Sequence, residues 1–217
     1  MTELYIRKVA VWEPGEDAEA SLAGLREAIG RRVARRMTHL GMMLSEVLKE
    51  MPISEDSSVV YATRFAETCA IERFLDSFPY PSPQMFQTSI HPSGVEQYLI
   101  QQKQPVRELF PLANGQNLLL RALNSTALCQ GANWILCGGE ERGSWLRDLA
   151  ISSDYNYAWA LELSPEPEAR IGSIRWQALE ESIADDAIYP EFVQALQSRS
   201  SKRFRFEAGQ VELDWCD

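Results

Sequence analysis

The sequence predicts an alternating α/β fold, and three observations carry that expectation. Residues 134–137, Trp-Ile-Leu-Cys, form a compact apolar run after a helical pattern and stop at Gly138-Gly139, as an interior parallel strand after its crossover helix would. Val33, Met37, Leu40, Leu44 and Val47 recur at separations of four, three, four and three, which sets them on one stripe of a helix over residues 31–50. Residues 5–12 combine aromatic and β-branched side chains and end before Pro14-Gly15, the pattern of a buried first strand. With 217 residues, 45% of them hydrophobic, the chain can bury one full core, and its aromatic content argues against wholesale disorder.

The other elements follow in order. Asp56-Ser57-Ser58 leads into a strand over 59–63, and residues 67–75 offer a helical face through Ala70, Ile71 and Phe74. Pro79, Pro81 and Pro83 remove backbone donors and assign 78–84 to loop. A strand over 106–110 precedes a turn at 111–115 and a helix from Gln116 towards Cys129 that buries Leu119, Leu123 and Ala127. Residues 157–163 read as a strand, 164–167 as a turn, and 203–206 with 211–215 as a hairpin about Ala208-Gly209 that covers a sheet edge. One common sheet is expected to hold 5–11, 59–63, 134–137 and 157–163. Between 162 and 191, eight acidic residues face only Arg170 and Arg175, which reads as wet surface.

Charge and cysteine usage narrow the partners. A net charge of −10 opposes general attraction to nucleic acid or an anionic bilayer. One basic stretch stands out: Arg26, Arg31, Arg32, Arg35, Arg36 and Lys49 against Glu27 and Glu46, either a solvated helical face or a dock for an anionic partner. Cys69, Cys129, Cys137 and Cys216 are widely spaced, without a zinc motif or C-x-x-C, so neither metal nor cofactor is expected. The start lacks a secretion signal's apolar core and no stretch is long enough to span a bilayer, so a cytoplasmic protein with reduced cysteines is expected.

Three motifs, in this order, resemble the beta-ketoacyl synthase-like N-terminal domain family. They are Tyr5-Ile6-Arg7 with Val11-Trp12-Glu13-Pro14-Gly15, then Arg35-Arg36-Met37, then residues 81–92, PSPQMFQTSIHP. With the turn after Phe110, the long helix and the strand-loop at 134–140, the likeness spans about residues 4–163 and leaves 171–217 as an unplaced extension of a single domain over 1–217. It implies a thiolase-like layered α/β fold, one half of a condensing-enzyme architecture. In such enzymes a cysteine of the first half attacks an acyl thioester, and histidines of a second half, missing from this chain, assist. The match puts the nucleophile slot at Leu112 or Ala113, and neither side chain can attack. Cys129 and Cys137 read as buried structural thiols, and His39 as structural or surface.

The resemblance therefore implies a noncatalytic, chain-length-factor-like protein of fatty-acid or polyketide-type synthesis, a dimer with itself or with a ketosynthase. The pairing strand would be 106–110, with Val106, Leu109 and Phe110 in contact, unless the segment after Ile171 covers it. An acyl carrier protein would dock on Arg31, Arg32, Arg35 and Arg36. A remnant pocket would draw on Ser89, His91, Leu112, Ala113 and Asn114, with His91 either structural or pocket-lining because Pro92 stands where the related pattern has asparagine. Glu140 and Glu141 lie where α/β folds place sites, yet adjacency alone gives them no shared target. Two alternatives remain: a CoA- or carrier-linked acyl-processing enzyme using Ser89, His91 and Asn114, and a homodimeric scaffold with a filled pocket.

Overall fold

The computed structural model describes residues 1–113, 117–131, 133–178 and 188–216. Strand β1 (Thr2–Trp12) leads into α1 (Ala18–Ile29), the short α2 (Arg31–Ala34) and α3 (His39–Leu48). Then come β2 (Ser57–Thr63), the helices α4 (Thr68–Asp76), α5 (Pro83–Ser89) and α6 (Ser93–Gln102), and β3 (Glu108–Ala113). Next are α7 (Leu118–Ala127), β4 (Asn133–Glu140), α8 (Trp145–Asp148) and β5 (Tyr157–Ser164), followed by β6 (Gly172–Ala178), α9 (Ile188–Ser198), β7 (Lys202–Phe206) and β8 (Gly209–Trp215).

The strands join one sheet in the order β3-β2-β4-β5-β1-β6-β8-β7. Strands β3, β2 and β4 run parallel, and every later pairing is antiparallel. The four strands expected in a common sheet are there as β1, β2, β4 and β5. Helices cover both faces. Helix α3 lies on β1, β4 and β5 with α1 and α6 against it, while α7 and α9 cover the opposite face. Such double coverage is why the runs at 59–62, 134–137 and 157–161 in the central strands are apolar without alternating. In β2, Val59 and Tyr61 enter the α3 layer, and Val60 and Ala62 the α7 layer. Strand β1 changes phase midway: Leu4 and Ile6 face the α7 layer, and so do Val9 and Val11. The register shift between Ile6 and Lys8 permits this, because one extra residue moves every later side chain to the other face.

Several sequence expectations are corrected. The helix over 31–50 is two helices, since Thr38 is extended and its hydroxyl accepts from the Gly41 amide at 2.8 Å. A threonine that caps a new helix competes with continuation of the old one, and the unbroken apolar stripe hides this. The loop at 78–84 ends early, because Ser82 caps α5 and Pro83 fills its first turn, where a missing amide hydrogen does no harm. The strand at 106–110 starts and ends later, as β3, so Pro111, Leu112 and Ala113 are strand and not turn; the rest of the expected turn, 114–116, lies outside the described residues. Residues 171–216, where described, extend the sheet beyond β1 and hold Ile174 and Trp176 in the core, so the acidic count misjudged part of 162–191 as wet surface. They build the edge opposite β3 and do not cover it.

Gly138 and Gly139 do not end a strand either, for both are paired inside β4. A Cβ on Gly138 would strike the Ala62 carbonyl and come within 2.8 Å of the Trp159 ring, so this glycine sets how closely β2, β4 and β5 approach. Gly138→Ala is expected to lower stability by about 1–3 kcal/mol or more, as overpacking of a close-packed core does. A shift of the urea midpoint at constant slope is the check; an unchanged midpoint would mean that the strands part without penalty.

Candidate functional site

Four glutamates are buried at the carboxyl ends of β2 and β4 and in the segment they enclose: Glu67, Glu72, Glu140 and Glu141, each at most 5% exposed. Burial of a carboxylate is unfavourable unless donors meet it. Here the donors are backbone amides. Glu141 accepts from Leu40 N at 2.9 Å through one oxygen and from Cys69 N at 2.6 Å through the other, joining the first turns of α3 and α4. Glu67 accepts from Gly94 N at 2.7 Å, at the start of α6, and from the Tyr61 hydroxyl at 3.3 Å. Glu72 accepts from Ser144 N at 2.7 Å and Leu146 N at 2.9 Å, at the start of α8. Each carboxylate thus meets amides that no helix can satisfy internally, at the positive end of a helix dipole. Glu140 instead folds the chain after β2 over itself, accepting from the Thr63 hydroxyl at 3.1 Å, from Phe65 N at 3.1 Å and from Arg64 N.

Burial pushes the Glu140 carboxyl up to about 8 and that of Glu141 up to about 7, against the amide hydrogen bonds, which favour the charged form. The sequence treated this pair as loop residues with no common target. In the structure Glu140 is the last residue of β4, Glu141 follows it, and the two serve different segments.

Among the described residues expected to form a remnant pocket, His91 and Leu112 lie on opposite faces of the sheet. His91, joined to Pro92 by a cis bond, lies over Tyr61 at 4.8 Å between ring centroids on the α3 side of the sheet, with Nδ1 3.5 Å from Glu67 Oε2. Leu112 packs into the α7 layer on the opposite side, and Ala113 is exposed at the end of β3. The Ser89 hydroxyl donates to Phe86 O at 2.8 Å, which spends it inside its own helix. Asn114 lies outside the described residues. On the outer edge of the sheet, Val106 and Leu109 turn inward to pack on the α3 layer, while Phe110 is 40% exposed. Arg31, Arg32, Arg35 and Arg36 are all exposed, and Arg31 pairs with Glu27 at 3.1 Å.

One grouping that the sequence did not signal is present. His39 opens α3, Cys69 lies in the first turn of α4 and Glu141 follows β4; their ligating atoms all lie within 4.8 Å of one another. His39 also meets Arg26 Nη2 at 2.9 Å, and burial, then Arg73 and Arg26, lower its pKa to about 4. The Cys69 thiol donates to Arg142 O at 3.3 Å, and burial with the Glu141 and Glu72 charges raises its pKa far above the ordinary thiol value. Such a thiol is no ready nucleophile. A separate cavity of about 560 Å³ opens beside Glu140 between Arg64, Arg147, Tyr155 and Glu191, and its lining includes neither His91 nor Ser89.

Two other thiols are equally quiet. Cys137 is fully buried in β4, and Cys129 has its thiol against Ser125 O at 3.5 Å with its pKa pushed up to about 11 by burial. Incubation with an acyl thioester at neutral pH is therefore expected to leave Cys129 and Cys137 unmodified, with any adduct on the exposed Cys216. Intact-mass and peptide analysis reads this, and stoichiometric acylation of Cys129 is the contrary result.

No protein-family model matches the chain, and no curated protein matches it. Solved structures do. A chain of the complex between the ketosynthase ApeO and its chain length factor ApeC from Xenorhabdus doucetiae superposes with a TM-score of 0.72 at 16% identity, over 99% of this chain and 100% of that one. The ishigamide ketosynthase/chain length factor gives 0.59 at 14% identity over 82% of this chain and 68% of the other. A beta-ketoacyl synthase from Burkholderia phymatum STM815 gives 0.56 at 11% identity over 85% and 67%. The protein thus has the layered, thiolase-like α/β fold of these structures.

Proposed function

We propose that this chain is a noncatalytic, chain-length-factor-like subunit that pairs with a ketosynthase through β3 and supports fatty-acid or polyketide-type synthesis. The observation that carries the reading is that β3 ends the sheet with its outer backbone groups unpaired by any described strand, while Phe110 stands 40% exposed on it. An open edge of this kind is a template for a second strand, and a partner strand would satisfy it. Pro111 agrees with an edge position, since proline is excluded from the middle of sheets. The ketosynthase–chain length factor complex that shares the fold supports a partner of that class. The absence of a nucleophile supports the noncatalytic part: residues 109–117 read LFPLANGQN, without Cys, Ser or Thr.

Because Val106 and Leu109 pack inward, acidic replacements there would disturb the core, and Phe110→Asp tests the edge more cleanly. It is expected to weaken association with a ketosynthase by about 2 kcal/mol or more, a roughly 30-fold effect, while leaving the melting temperature of the free chain within a few degrees. Sedimentation with and without the ketosynthase is the measurement. A wild-type chain that stays monomeric beside every ketosynthase offered sinks the proposal, and a dimer of the chain alone, disrupted by Phe110→Asp, replaces it with the homodimeric scaffold.

The same reading gives the exposed arginines a partner. In a chain of net charge −10, four clustered guanidinium groups at Arg31, Arg32, Arg35 and Arg36 form a local positive field suited to an acidic acyl carrier protein. Replacing all four with glutamine is expected to weaken carrier binding about tenfold or more at low ionic strength and to flatten its salt dependence. Titrations at two salt concentrations decide it: equal affinities for both forms of the protein would return the patch to solvated surface.

A further inference from the structure

We propose that His39, Cys69 and Glu141 form a three-ligand site for a divalent transition-metal ion of the zinc class. The first ground is geometric. Three different ligand types, nitrogen, sulfur and oxygen, come from three separate elements and place their ligating atoms within 4.8 Å of one another. Bond lengths of about 2.0–2.3 Å in a tetrahedron set ligand atoms roughly 3.3–3.8 Å apart, so side-chain adjustments of about 1 Å complete the site. Each backbone is held in place: His39 follows the cap at Thr38, Cys69 lies in the first turn of α4, and Glu141 is pinned between both helices.

The second ground is electrostatic. Glu141 is fully buried and accepts from two backbone amides, with no lysine or arginine in ion-pair contact among the described residues. Glu67 and Glu72 are buried close enough to act on the same groups, Glu67 on Glu141 and Glu72 on Cys69. Against these carboxylates stand two exposed arginines, Arg26, which donates to His39 Nε2 at 2.9 Å, and Arg73, which donates to the Cys69 carbonyl at 3.2 Å. An ion bound at Nε2 takes the place of Arg26 there. A bound dication would place positive charge where the buried carboxylates lack it.

The donor set selects the metal. A thiol and an imidazole beside one carboxylate suit zinc and its neighbours in the transition series, and do not suit magnesium or calcium, which take oxygen ligands. The amide bonds to Glu141 orient its carboxylate as outer-shell partners do. Binding proceeds with the metal–sulfur bond forming as the Cys69 thiol proton leaves to water; the ion then supplies the charge that stabilises the thiolate. The site owes nothing to the ketosynthase partner, so its failure and the failure of the proposed function are separable.

The test uses the intact chain, stripped with a chelator and titrated with cobalt(II) alone. One equivalent is expected to bring up a thiolate-to-cobalt charge-transfer band that zinc then abolishes. The band is expected to vanish in Cys69→Ser and persist in Cys216→Ser. His39→Gln is expected to weaken binding roughly 100-fold or more, at or above the upper end of what loss of an outer-shell partner costs. X-ray absorption of the zinc-loaded wild type, which needs no variant to fold, is expected to show one sulfur among nitrogen and oxygen ligands. Absence of the band, its survival in Cys69→Ser, its loss in Cys216→Ser, or a zinc shell without sulfur would each overturn the proposal.

Discussion

Buried carboxylates accepting backbone amides organise this molecule at the carboxyl ends of its parallel strands. Helices α3, α4, α6 and α8 start in the same small region, and each presents amide hydrogens that its own turns cannot use. Glu141 meets two of these starts, Glu67 a third and Glu72 a fourth. The arrangement couples distant segments: a change at Glu141 disturbs α3 and α4 together, across 101 and 72 residues of chain. It also brings His39, Cys69 and His91 to one pole, because His39 and Cys69 lie within a residue of the tied amides and His91 shares Glu67 with Gly94.

The two edges of the sheet differ in the way an interface would require. At β7, Lys202, Arg203 and Arg205 alternate with Phe204 and Phe206, and the charged side of the strand is partly matched by Glu191 and Glu212. Charged, short edge strands discourage pairing. The hairpin is also tied back to the body of the fold, where the Asn117 side chain at the start of α7 accepts from Ala208 N at 3.0 Å. At β3 the inward side chains join the core, while Phe110 and Pro111 remain on the surface. Nothing charged enough to repel a strand stands at Phe110 itself, and Arg107 and Glu108 lie beside it. The asymmetry leaves β3 the edge less guarded against strand pairing.

What the sequence determined by itself is the set of elements whose physics is local. The apolar runs at 59–63, 134–137 and 157–163 read as strands of one sheet, because short apolar runs between helical patterns suit strands covered on both faces. The terminal hairpin was legible from strict alternation about Ala208-Gly209, and residues 109–115, where the resemblance implies a nucleophile slot, hold no Cys, Ser or Thr. Tertiary structure decided the rest. Thr38 splits a helix that periodicity joins, because a single hydroxyl bond outweighs a continued stripe. Gly138 stays in a strand because close approach of its neighbours, not a turn, requires the missing side chain. Glu140 and Glu141 gain meaning only when Thr63, Cys69 and Leu40 are brought to them, and His39, Cys69 and Glu141 are neighbours only after folding. Pattern and propensity act over a few residues, whereas a buried charge is satisfied by whatever donor the fold delivers, from any distance along the chain.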